Sequence, residues 1–596
     1  MREIHETALV SEPAARLTDD VVAHATSHPS SVVLARRVGS QWQDVTAATF
    51  LDEVRRVAKG LLASGIEAGD RVGLMSRTRY EWTLCDYAIW FAGGVTVPIY
   101  ETSSAEQVQW ILSDSGAVAA ILENDKHVAL YDEVADALGG VRHRFVIDHG
   151  DLDTLEQAGS DVADDELEQR RLSVSPDDLA TIIYTSGTTG RPKGCELTHR
   201  NFAFEAENVV AATPEVFEAA GASTLLFLPL AHVFGRIIQI ACIHGRVRLA
   251  HTADVTNLLG DLAEFRPTFL LAVPRVFEKV FNSAQQKAIA GGKGAIFDRA
   301  TAVAVAYSEA LGGGGAGIGL RLQHAVFDKL VYSKLRDAMG GRVAWAVSGG
   351  APLGTRLGHF FRGIGLTILE GYGLTETAGA TTVNRPTLIK VGTVGRPFPG
   401  AAVRIADDGE VLLSGPHIFR GYWRNEAATA EMLDADGWFH TGDLGALDDE
   451  GYLAITGRKK EILVTAGGKN VAPAVLEDRI RSSWLVSQCM VVGDNKPYIA
   501  ALVTIDADSF PAWKAQNGKS ADATVESLVD DPELLAAVQV AVDGANKAVS
   551  AAESVRRFRI LATDWTEDSG ELTPSMKLRR GVVMDQYATD VERLYS

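Results

Sequence analysis

The sequence predicts an α/β protein built on doubly wound sheets, with a small β-rich subdomain late in the chain. Three observations carry that reading. At 596 residues the chain exceeds what one core supports, so two or more domains are expected. Up to about residue 170, helical and strand periodicities alternate across short glycine-bearing joints, the texture of a parallel sheet covered on both faces. From 391 to 422 the text changes to short apolar runs punctuated by glycine and proline, as in a small β-rich subdomain.

Taken in order, residues 49–64 carry apolar side chains at helical spacing, and Arg71–Met75 follows Gly69 and Asp70 as a strand. Residues 80–90 read as a helix and 94–98 as a buried strand. This stretch holds no charged cluster suited to chemistry and reads as scaffold and substrate wall. Residues 268–279 predict a strand ending at Pro274, then a helix, and 343–347 a further strand. Gly312, Gly314 and Gly317 form a formal G-x-G-x-x-G, but the alanine-rich segment before them is helical. A dinucleotide fingerprint needs a strand there, so a surface loop is expected instead. Residues 507–554 are acidic with a helical pattern.

Composition limits the function. With 57 lysines and arginines against 77 aspartates and glutamates, the formal charge is −20, which repels nucleic acid and anionic membranes at long range. Nucleic acid is therefore not an expected partner. Cys85, Cys195, Cys242 and Cys489 are scattered, unlike a disulfide framework or a zinc site. The N-terminus lacks the apolar core of a signal peptide. The most apolar region, 225–243, is broken by His232 and Arg236, so no transmembrane segment is expected. A cytoplasmic protein follows. Peripheral membrane contact stays open, as does the choice between monomer and homodimer.

The chemistry centres on residues 179–194. An apolar β-branched run at 179–183 leads into Tyr184, Thr185, Ser186, Gly187, Thr188, Thr189, Gly190, Arg191, Pro192, Lys193 and Gly194. Glycines let backbone N–H groups converge on an anion, hydroxyls add donors, and the lysine adds a mobile charge. This predicts a phosphate-cradling loop at the end of a strand. It is not a Walker A loop, because Lys193 lies three positions after Gly190 and no Gly-Lys-Ser/Thr follows.

That string resembles the phosphate-loop signature of the adenylate-forming (AMP-binding) superfamily, which includes acyl-CoA synthetases, luciferases and peptide-synthetase adenylation domains. Partner motifs follow in the family's order, and the resemblance spans residues 46–580. It implies His232 beside the acyl carboxylate, and Gly349, Gly350, Ala351 and Pro352 along adenine and ribose. Gly371, Tyr372, Gly373, Thr375 and Glu376 form the next motif. There an aromatic can stack on a base, a threonine can donate to phosphate, and a carboxylate can hold Mg²⁺. Thr185 would share the metal with Glu376, and Gly350 and Gly373 would also border the substrate. Asp443 and Arg458 would hold the ribose. Lys460 is the implied hinge between an N-terminal AMP-binding domain, 1–459, and a smaller mobile α+β domain, 460–596. Gly467 and Gly468 on that domain would meet coenzyme A, and Lys577 would be its catalytic lysine. The family's usual Ser-Gly-Lys stands here as Ser575, Met576 and Lys577.

The motifs around Val394, Gly415, Tyr422 and Gly457 look most like bacterial long-chain fatty acyl-CoA synthetases. Some of those carry a tryptophan soon after the motif histidine, where this chain has Phe234 and Arg236. The implied activity is ligation of a fatty acid to coenzyme A, with ATP and Mg²⁺. The alternatives are delivery to a carrier-protein phosphopantetheine, activation of another class of carboxylic acid, and a non-catalytic nucleotide-binding protein. Lys577 and Glu376 argue against the last.

Overall fold

The protein is described here by a computed structural model covering residues 2–185, 191–253, 255–573 and 576–596. Its largest sheet has seven strands in the order Gly421–Tyr422, Lys193–Thr198, Leu179–Thr185, Val95–Ile99, Arg71–Met75, Ala119–Leu122 and His143–Val146. The last five run parallel. Val95–Ile99 is buried along its whole length, as expected for a strand covered by helices on both faces. The expected alternation up to residue 170 is present, but Val32–Val38 and Gln41–Thr46 leave it as a hairpin. They join a second sheet with Ser223–Leu226 and Arg248–His251. Pairing over some two hundred residues has no signature in local periodicity.

A third sheet places Phe269–Leu271, Trp345–Ser348 and Thr367–Tyr372 parallel, so three loops emerge from one sheet end. The β-rich subdomain is antiparallel, with Ala402–Ile405, Glu410–Ser414, Phe439–Leu447 and Leu453–Arg458. Its composition differs from the expectation at both ends. Glu3–His5 closes its far edge, although it lies some four hundred residues earlier. Gly421–Tyr422, expected within the subdomain, pairs instead with Cys195 and Glu196 of the seven-stranded sheet. The helix Gly294–Gly312 ends at the glycine run and Ile318–Phe327 begins after it, so no strand precedes the formal G-x-G-x-x-G.

Beyond Lys460, which sits in the short turn Lys459–Glu461, Ile499–Ile505 pairs antiparallel with Val486–Val492 and parallel with Val555–Ile560. The core on one face of this sheet, including Leu476, Val503, Trp513 and Val538, comes from residues after 470, with Leu463 packed against it. Two ion pairs tie this region to the helix Pro274–Ala290: Arg275 to Asp506 at 2.8 Å and Lys279 to Asp508 at 3.2 Å.

Candidate active site

Leu179–Thr185 and Lys193–Thr198 pair antiparallel with Thr185 opposite Lys193, so both ends of the phosphate loop stand at one place. Ser186, Gly187, Thr188, Thr189 and Gly190 lie outside the described residues. On the loop's outgoing limb, Trp110 donates its indole N–H to the Pro192 carbonyl at 2.9 Å, and the Arg191 guanidinium lies 4.7 Å from that ring. The Lys193 ammonium sits 5.1 Å from the Tyr422 ring, and the Tyr422 hydroxyl donates to Glu376 at 2.7 Å. One aromatic side chain thus joins the loop's cation to the predicted metal carboxylate. Tyr422 escaped sequence reasoning as a site residue. A lone tyrosine on an edge strand reveals its role only once that strand pairs beside the loop.

The second wall is made by the loops after Trp345–Ser348 and Thr367–Tyr372. Gly350 has φ +82°, a conformation glycine adopts without cost. A Cβ on Gly373 would lie 1.7 Å from the Gly379 carbonyl oxygen, so no other residue fits that turn. Leu353 donates its N–H to Glu370 at 3.1 Å, and burial pushes the Glu370 carboxyl up to about 7. Glu370 thereby fixes the glycine loop, a role that its position in the motif did not reveal. The buried Ser348 hydroxyl has no hydrogen-bond partner among the described residues, a polar group left available to a ligand.

Asp443 is buried, and accepts from the Tyr372 hydroxyl at 2.6 Å and the Arg458 Nε at 2.8 Å. Sequence reasoning placed Tyr372 against a base; the structure adds this tie to the predicted ribose carboxylate. A sugar diol at Asp443 would exchange for one of these contacts. Lys577 lines the same cleft while keeping access to water. Desolvation, then the Arg458 charge, lowers its ammonium below the usual range, and Asp443 and Glu376 oppose that shift. Its turn is held by Thr573 N–H to the Lys577 carbonyl at 2.9 Å and by Lys577 N–H to the Thr573 hydroxyl at 3.0 Å. Three residues on, Arg580 anchors to Glu477 at 2.6 Å. Met576 has φ +62°, which explains why a glycine suits that position and shows that this chain accepts backbone strain there.

His232 caps the helix Val233–His244, and its Nδ1 accepts the Phe234 N–H at 3.1 Å. Nε2 therefore carries the proton. Desolvation and the Lys577 charge lower the imidazole to about 3, so it is a neutral donor at physiological pH. The cavity that His232 lines, about 4400 Å³ in all, is also lined by Phe227, Leu270, Phe277, Phe281, Phe297 and Met339. Phe234 lines it and Arg236 does not. Arg236 is fully buried, hydrogen-bonded to Asp86 and, at 2.6 Å, to Thr181, with its guanidinium against Trp82 and Trp90. The departure from a tryptophan at that position is thus a core ion pair.

Every predicted site residue within the described chain lines this one cleft except Gly467 and Gly468, which stand at an exposed turn. Among the described residues no group of three or more histidines, cysteines, aspartates or glutamates could hold a metal alone. A magnesium ion fits that donor set only with Glu376 and phosphate oxygens together, which is its habit.

The fold and cleft define a multidomain α/β enzyme whose polar loops line one cavity together with a group of phenylalanines. The chain belongs to the AMP-binding enzyme family, which matches residues 21–423, with the family's C-terminal domain matching 460–596. It is 53% identical to long-chain-fatty-acid–CoA ligase FadD15 of Mycobacterium bovis, covering 97% of this chain and 96% of that one. FadD15 of Mycobacterium tuberculosis is 52% identical over the same shares. Among solved structures, the A-PCP didomain of a Segniliparus rugosus carboxylic acid reductase has TM-score 0.75 at 23% identity, covering 98% of this chain and 83% of that one. The anthranilate CoA ligase AuaEII has TM-score 0.74 at 18% identity, covering 98% and 99%. These likenesses show the fold. No helix among the described residues is long and apolar enough to cross a membrane.

Proposed function

We propose that the protein is an ATP-dependent long-chain fatty acid–CoA ligase of the cytoplasm. It joins a fatty acid carboxylate to AMP, releases pyrophosphate, and passes the acyl group to coenzyme A. The observation that carries this reading is a single cavity lined both by Glu376, Lys193 and Lys577 and by Phe227, Phe277, Phe281 and Phe297. Near-complete coverage of FadD15 by this chain supports the same substrate class.

A carboxylate is a poor electrophile until its oxygen becomes part of a good leaving group, which the mixed anhydride with AMP supplies. Magnesium, held by Glu376 with Thr185, would neutralise phosphate charge. Lys193 and Lys577 supply fixed positive charge where negative charge accumulates. Neutral His232 offers Nε2–H to a carboxylate oxygen without bringing a competing charge. Asp443 and Arg458 hold the ribose, and the small residues Gly349 to Pro352 admit the flat base.

Residues 1–459 act as the adenylation domain and 460–596 as a domain turning about Lys460. The structure has Lys577 in the cleft and Gly467 and Gly468 outside it, an arrangement that suits adenylation. Turning would withdraw Lys577 and bring the glycine turn to coenzyme A. The test is AMP release and thioester formation across fatty acids of rising length. A long-chain optimum requiring coenzyme A is expected, whereas adenylate without thioester would point to a carrier-protein acceptor. Lys577→Ala should lower adenylation at least ~10²-fold while ATP still binds, in line with loss of a preorganised charge. Retention of full activity would remove Lys577 from the reaction.

A further inference from the structure

The helix Ile318–Phe327 has no buried residue, although six of its ten residues are apolar. Along its outer side Ile318 is 79% exposed, Leu322 64%, Val326 56% and, in the turn that follows, Leu330 54%. The opposite side is anchored. The His324 ring stacks on Tyr307 at 3.9 Å and hydrogen-bonds the Gly363 carbonyl at 2.6 Å. The apolar stripe is therefore a fixed surface four residues in period, not a frayed end.

The charge around it runs against the rest of the molecule. Residues 285–337 carry seven lysines and arginines and four aspartates and glutamates, in a chain of net charge −20. Of the acids, Asp328 is paired with Arg336 at 2.7 Å. Arg321 and Lys329 are exposed on the same helix and turn. Distant acidic charge is screened beyond about 8 Å at physiological ionic strength, so a surface in contact with this face meets its local positive charge. At its C-terminal end the stripe joins the cavity: Leu330 and Lys334 line it, as do Lys293 and Ile296.

We propose that this face docks on an anionic lipid bilayer, with Ile318, Leu322 and Val326 entering the headgroup boundary and Arg321 and Lys329 meeting lipid phosphates. An amphipathic helix lying in the interface, apolar on one side and cationic at its flanks, has this composition. The fatty acid then passes from the bilayer past Leu330 into the chamber, without crossing water. The inference rests on the fatty acid reading of the cavity for its purpose, but not for the docking itself.

The test is co-sedimentation of the full chain with vesicles of phosphatidylglycerol and phosphatidylcholine in equal parts, against phosphatidylcholine alone. Binding to the anionic vesicles, released by salt, is expected. Leu322→Glu with Val326→Glu should reduce it at least ~10-fold, and Arg321→Gln or Lys329→Gln about fivefold each. All four residues lie outside the cavity lining, so turnover of detergent-dispersed fatty acid should be unchanged, while turnover of vesicle-borne fatty acid falls with binding. Equal sedimentation of variants and parent would overturn the proposal. So would conversion of a dimer to a monomer by the stripe substitutions, which would make a second copy the occupant. Vesicle binding without turnover of any fatty acid would instead overturn the ligase reading and leave the docking face standing.

Discussion

At the scale of single residues, the site depends on polar groups whose state is set by neighbours far away in sequence. Tyr422 is the sharpest case, since its hydroxyl holds Glu376 at 2.7 Å while its ring faces Lys193. Tyr422→Phe keeps the ring and removes the bond. A hydrogen bond to a charged group contributes about 1.5–3 kcal/mol, so kcat/KM for ATP should fall about tenfold or more. Unchanged kinetics would mean that Glu376 is positioned by other contacts. His417 tests the cost of burial. Desolvation lowers its pKa from 6.5 to about 3, so between those values the unfolded chain binds a proton that the folded protein does not. That difference lowers stability as pH falls below 6.5. His417→Gln should therefore lose about 1.4 kcal/mol less per pH unit in that window than the parent, read from urea midpoints at pH 6.5 and 5. Identical slopes would show that the imidazole takes up its proton without unfolding.

At the scale of elements, the polar loops stay in place because the helices and strands behind them cannot shift independently. The buried pair of Asp86 and Arg236 joins the helix Tyr80–Phe91 to Val233–His244, and Arg236 reaches Thr181 of Leu179–Thr185. The strand that enters the phosphate loop and the helix that His232 caps are thus held by one guanidinium. Removing one partner of a buried pair leaves an uncompensated charge, so Asp86→Ala should destabilise by about 3–5 kcal/mol. Thermal unfolding measures it, and a loss within error of a surface substitution would show that water solvates Arg236. Elements were also where periodicity served best. Arg71–Met75 appears with the bounds that its pattern predicts, and the helix Ala47–Ala63 begins two residues before the predicted stretch and ends one before its end. Short edge strands were not legible, because two residues such as Gly421 and Tyr422 carry no period.

At the scale of the whole molecule, the pairs Arg275 to Asp506 and Lys279 to Asp508 bridge the helix Pro274–Ala290 and the region beyond Lys460 in the arrangement with Lys577 in the cleft. Lys279 and Asp508 are largely exposed and contribute little; Arg275 and Asp506 are mostly shielded and carry the contact. Arg275→Glu turns that attraction into repulsion. Adenylate formation should slow by ~5–30-fold, while thioester formation from preformed adenylate holds or quickens, as expected when one of two arrangements loses 1–2 kcal/mol. Single-turnover assays of the two steps decide, and equal slowing of both would point to damaged folding.

The sequence by itself determined the family chemistry, because that chemistry resides in contiguous strings. A glycine and hydroxyl loop after a strand, a Tyr-Gly-Leu-Thr-Glu run and a late lysine each keep their character wherever the chain carries them. Backbone turns and close approaches are dictated over a few residues, as at Gly373. Tertiary structure alone decided which of these strings meet and through what. The hydroxyls of Tyr422 and Tyr372 find Glu376 and Asp443, Arg236 leaves the cavity for a core ion pair, and Phe277, Phe281 and Phe297 line a chamber. Side chains of a chamber and of a packed core share one apolar pattern. What separates them is the space that the neighbouring elements leave, and that is a property of packing, not of periodicity.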